Sequence, residues 1–88
     1  MKYVILYESS EDVLSKAPLY VNEHRKHWEE YLRDGTLLAI GPFADPREGS
    51  MGVFRTREAA EEFVARDPFV LNGVVRSWLI REWNEVLL

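Results

Sequence analysis

TLLAIGPFADPREGSMGVFR, residues Thr36–Arg55, holds two short apolar runs on either side of a turn-forming stretch, and its reading decides the fold. Thr36 to Ile40 reads as a strand closed by Gly41-Pro42-Phe43. The stretch Ala44-Asp45-Pro46-Arg47-Glu48-Gly49 has turn or hairpin-loop composition, because Gly, Pro and Asp supply the special backbone angles and local hydrogen bonds that turns need. Ser50 to Arg55 reads as the next strand, with Met51 and Val53 on one face and Gly52 and Phe54 on the other. A hairpin of these two strands is the natural pairing.

Outward from this hairpin, each flank supplies one strand and one helix. Upstream, Lys2–Glu8 contains Tyr3-Val4-Ile5-Leu6-Tyr7, apolar on both faces, as suits a central strand. Ser9-Ser10-Glu11-Asp12 breaks the run, and Asp12–Ala17 fits either a loop or a short helical turn. Pro18 is placed for the first turn of a helix that continues to Arg33, with Gly35 as its stop signal. Downstream, Thr56 supplies an N-cap hydroxyl, and Ala60, Phe63 and Val64 form an apolar stripe that runs on to Arg66. Asp67-Pro68-Phe69 ends this helix, since proline disfavours helical geometry at the residue before it. Gly73 marks a turn into a last strand from Val74 to about Glu85. The order is β-α-β-β-α-β, which predicts an α+β, ferredoxin-like sandwich: an antiparallel four-stranded sheet with two helices on one face, in a single domain over residues 1–88.

Both helices on one face leave the other face bare. Trp78, Ile80 and Trp83, besides Val75 and Leu79, offer more apolar bulk than the helix side of so small a sheet can absorb, and apolar patches of that kind usually mark interfaces. The expectation is a homodimer with sheets packed face to face through two-fold contacts, with larger assemblies left open. A chain of 88 residues buries only about 60–65% of its unfolded surface, so association also suits its size.

The composition excludes several functions. There is no cysteine, hence no disulfide framework, thiolate nucleophile or cysteine-based zinc site. The net charge is −4 and the basic residues are interspersed with acidic ones, so nucleic acid is not expected as a partner. No segment is long and apolar enough for a bilayer, and no signal peptide is seen behind Met1-Lys2-Tyr3, which places the expected location in the cytoplasm.

The chemistry is left to His, carboxylates, hydroxyls and backbone. In the helix Pro18–Arg33, Val21, Trp28, Tyr31 and Leu32 share one arc and His24 lies among them, with Asn22, Arg25, Lys26, Glu29 and Arg33 opposite. An imidazole on an apolar face is a candidate general base or acid, or else a core histidine satisfied by a backbone carbonyl. His24 and His27 form an H-x-x-H pair, but with no third histidine or cysteine neither a metal site nor a cofactor is expected. Asp67, beside Pro68 and Phe69, can orient an imidazole or simply shape the turn. Gly41 and Pro42 at a strand end leave backbone near a ligand, and Ser50 offers a hydroxyl for binding rather than a nucleophile.

His24, the eleven-residue step to Gly35, Leu37-Leu38, Gly41-Pro42, Gly49-Ser50, Glu58-Ala59-Ala60 and Asp67-Pro68-Phe69 with Gly73 form an ordered series. This series resembles the YCII-related family of small dimeric α+β barrel proteins, from Tyr3 to about Trp83. The resemblance implies a protomer dimerising through its sheet, with a His-Asp dyad formed by His24 and Asp67 and with Ser50 nearby. It also implies a small-molecule ligand at Ser50, Gly41, Pro42 and Phe69, and cofactor-free lyase or isomerase chemistry on a small cyclic or aromatic acid. The competing implication is a binding or structural module. Family members often carry an arginine three residues before the histidine; here that position is Val21.

Overall fold

The computed structural model describes residues 1–88. Strand β1 (Lys2–Ser9) leads into helix α1 (Val13–Arg33), then strands β2 (Leu37–Pro42) and β3 (Ser50–Phe54), helices α2 (Arg57–Arg66) and α3 (Pro68–Leu71), and strand β4 (Val75–Trp83). The sheet order is β2-β3-β1-β4, with every neighbouring pair antiparallel. This is the expected ferredoxin-like arrangement, and the hairpin that anchors it forms as read. Its connection holds a single 3₁₀ turn at Pro46–Glu48, capped by the Asp45 side chain. Gly49 follows at φ 108°, where a Cβ would lie 2.0 Å from the Tyr7 carbonyl oxygen. Only glycine lets this loop lie against β1.

Ile5 and Tyr7 of β1 and Phe54 of β3 meet Phe63 and Val64 of α2 and Tyr31 of α1 in one buried cluster. Thr56 caps α2 as expected, its hydroxyl accepting from the Ala59 amide at 3.1 Å. Gly35 at φ 85° ends α1, with its amide and that of Thr36 bonded to the carbonyls of Leu32 and Tyr31.

Four sequence expectations need correction. Helix α1 begins at Val13, five residues before Pro18, so Asp12–Ala17 belongs largely to the helix and Pro18 sits inside it. Buried Val13 and the Asp12 carbonyl, which accepts from Ser15 and Lys16, hold the first turn, and exposed Pro18 forgoes one amide donor. The buried arc of α1 is also rotated: Val13 and Tyr31 are inside, whereas Val21 and Leu32 are 40% and 53% exposed. A further short helix, α3, follows Asp67.

The fourth correction concerns the bare face. Ile80 lies opposite Ile5 and Trp78 opposite Tyr7, so both share the helix side with the core, and Val75 joins the core cluster itself. Leu79, opposite Leu6, and Trp83, opposite Lys2, point to the open face. Directly paired residues project to the same side of a sheet, and with a period of two Trp78 and Trp83 cannot share a face.

Candidate active site

The junction between α2 and α3 creates the site. Asp67 closes α2 with an extended backbone and caps α3, its Oδ1 accepting from the Phe69 amide at 3.0 Å, with Pro68 fixed in the first turn. The Asp67 side chain is fully buried. From α1, Nδ1 of His24 reaches the same Oδ1 at 2.7 Å, and from β1 the Tyr7 hydroxyl donates to Oδ2 at 2.7 Å. One carboxylate therefore accepts from three elements, as a buried charge requires.

This arrangement dictates the state of the ring. A carboxylate only accepts, so the hydrogen of neutral His24 sits on Nδ1 and the lone pair on Nε2. Nε2 has no partner in the chain, and no buried side-chain nitrogen or oxygen lacks one, so Nε2 is open to solvent-accessible space. Phe69 stacks on the imidazole with ring centres 3.9 Å apart and planes within 5°, and Phe63 meets its edge. Burial, and then the Asp67 charge, push the Tyr7 hydroxyl well above the ordinary phenol range, so it remains a donor.

His24 lines a cavity of about 390 Å³ between α1 and the sheet, within the usual size range of small-molecule sites. Gly41, Pro42, Ser50 and Phe69 line the same cavity, so all the residues expected at the site except Asp67 face this space, and Asp67 stands behind His24. The Ser50 hydroxyl makes no bond within the chain, while the Phe43 amide is already bonded to the Gly49 carbonyl. A Cβ at Gly41 would meet nothing within 4 Å. His27 does not join the site: its Nε2 bonds the Phe63 carbonyl at 2.9 Å, tying α1 to α2. No group of three or more His, Cys, Asp or Glu side chains is placed to hold a metal ion.

A profile of the YCII-related domain matches residues 1–84. The chain belongs to the YCII-related family. Among solved structures, it is similar to the 5-chloro-2-hydroxyhydroquinone dehydrochlorinase of Burkholderia phenoliruptrix, solved with 2,5-dihydroxybenzoquinone. The two are 18% identical, with 96% of this chain and 94% of that one covered and a TM-score of 0.79. An Arabidopsis thaliana protein is 16% identical, with 99% and 96% covered and a TM-score of 0.45. No curated protein sequence matches. The first likeness extends to this YCII-related chain the four-stranded antiparallel α+β fold. No helix of the chain is long and apolar enough to cross a membrane.

Two residues of this YCII-related site escaped the sequence reading. Tyr7 lies in a strand apolar on both faces, which gives no sign of which face turns inward. Arg25 falls on the charged side of the helical wheel, yet it lines the cavity beside His24. Val21, at the position of the family arginine, lines it too.

Proposed function

We propose that this YCII-related protein is a cofactor-free lyase or isomerase that removes a proton from a small cyclic or aromatic acid, with His24 as general base. The observation that carries this reading is the division of labour on the ring: Nδ1 is held by a buried carboxylate, while Nε2 has no partner in the chain and the ring lines the cavity. Nε2 takes the proton as the substrate C–H bond breaks, and Asp67 stabilises the imidazolium. In a lyase step the freed electron pair becomes a new double bond as a leaving group such as chloride departs with its own pair. In an isomerase step the proton returns to another carbon. The Ser50 hydroxyl can donate to the oxygen on which negative charge develops. Dehydrochlorination, named for the structural neighbour, belongs to this class of reaction.

A second reading has its own support. Asp67 joins α1, β1 and the α2–α3 junction, which a purely structural clamp would also do. Proton exchange separates the two. Incubated in D2O with hydroxylated quinones and lactone acids, the wild type is expected to exchange an acidic ring proton at least about 10²-fold faster than His24→Gln, the lower end of general-base catalysis. Equal rates in both proteins across the panel would leave the clamp. The open sheet face, with Leu6, Met51, Leu79 and Trp83, is the proposed contact of a homodimer.

A further inference from the structure

The charge of the cavity wall selects a class of ligand. Among the residues that line the cavity, none is Asp, Glu or Lys, and the one permanently charged side chain is Arg25. Val21, Arg25 and Trp28, at helical steps of four and three, follow one stripe of α1 along this wall. Arg47 pairs with Asp45, Arg76 with Glu8, and Arg55 bonds the Gly35 carbonyl. Arg25, the one arginine on this wall, has no ion-pair partner. Glu29 stands four residues on, at a spacing that allows a helix ion pair, yet no carboxylate lies within 4 Å of the Arg25 guanidinium.

We infer that Arg25 is the anion-recognising residue of this cavity, and that its ligands are planar monoanions: hydroxylated aromatic or enolic acids whose ring reaches His24 while the charged group rests on the guanidinium. A fork of N–H donors suits a carboxylate or enolate, and apolar walls suit the ring. This inference rests on the cavity being a ligand site, as proposed above.

The test titrates 2,5-dihydroxybenzoate and its uncharged methyl ester into wild type, Arg25→Gln and Arg25→Lys, following His24 resonances by NMR. Arg25 is exposed and glutamine is a good helix former, so the variants should fold. The wild type should bind the acid about tenfold more tightly than the ester, as one partly solvated charge-assisted contact provides. Arg25→Gln should erase that preference without changing ester binding, and Arg25→Lys should keep part of it. Equal binding of acid and ester by the wild type, or equal weakening of both by Arg25→Gln, would overturn the role of Arg25 while leaving the cavity a ligand site. Binding of neither compound would remove both the inference and the reading beneath it.

Discussion

Replacing Asp67 with alanine should be among the most damaging single changes in this chain, and the structure indicates by how much. The carboxylate accepts from the Tyr7 hydroxyl, His24 Nδ1 and the Phe69 amide at 2.7, 2.7 and 3.0 Å. Each buried donor left without an acceptor costs roughly 1–3 kcal/mol. Tyr7 is 7% exposed, whereas the His24 side chain, 14% exposed, turns more readily toward water. The sum is about 3–6 kcal/mol, a large part of the 5–15 kcal/mol typical of a domain. Asp67→Asn keeps both Oδ1 bonds and only sets an amide N–H against the Tyr7 hydroxyl, so its cost is about 1–2 kcal/mol. Tyr7→Phe should cost about as much in the wild type and almost nothing in an Asp67→Ala background, because its partner is already gone. The assay is urea unfolding followed by fluorescence of the three tryptophans at fixed protein concentration. Asp67→Ala within about 1 kcal/mol of wild type, or strict additivity with Tyr7→Phe, would refute the idea that this carboxylate joins three elements.

Two further outcomes are expected. Leu79→Arg, on the open sheet face, should convert a dimer to monomer in sedimentation velocity, whereas Trp78→Glu, on the opposite face, should leave it dimeric; a dimeric Leu79→Arg would remove that face as the contact. The Lys2 ammonium, then the N-terminal one, hold the Glu85 carboxyl at about 2, below its ordinary 4.5, so this group stabilises the fold above pH 4.5 and ceases to do so as the pH falls toward 2. The Tm difference between wild type and Glu85→Gln should therefore be largest at neutral pH and close on acidification; a gap that survives at pH 2 would contradict the assignment.

The fold was legible because its punctuation is local. Thr56, Gly35 and the Asp45–Gly49 turn each mark an element end through the hydrogen bond or backbone angle they supply. Asp67 was legible as a helix end, and the cap it forms for Phe69 is the same act that places its carboxylate under His24. The misreadings fall where geometry depends on parity or rotation. A strand apolar on both faces, such as Tyr3–Tyr7, does not reveal which side faces the core, so Tyr7 went unnoticed. Trp78 was placed on the open face on bulk alone, against its odd spacing from Trp83. The buried arc of α1 is rotated from the one drawn on the helical wheel, which exposes Leu32, while Arg25 lines the cavity from the charged side of the helix. Pro18 misled because its usual place is the first turn, while the packing of Val13 carried the helix further back.

The central claim is that His24 presents a bare Nε2 to a ligand while Asp67 holds Nδ1. It is tested most directly by long-range ¹H–¹⁵N spectra of the imidazole, recorded where the ring is neutral, before and after adding 2,5-dihydroxybenzoquinone. The account predicts an Nδ1–H tautomer at His24, an Nε2 resonance that moves on titration, and a His27 resonance that stays in place. An Nε2–H tautomer at His24, or an Nε2 resonance unmoved by the ligand, would contradict it.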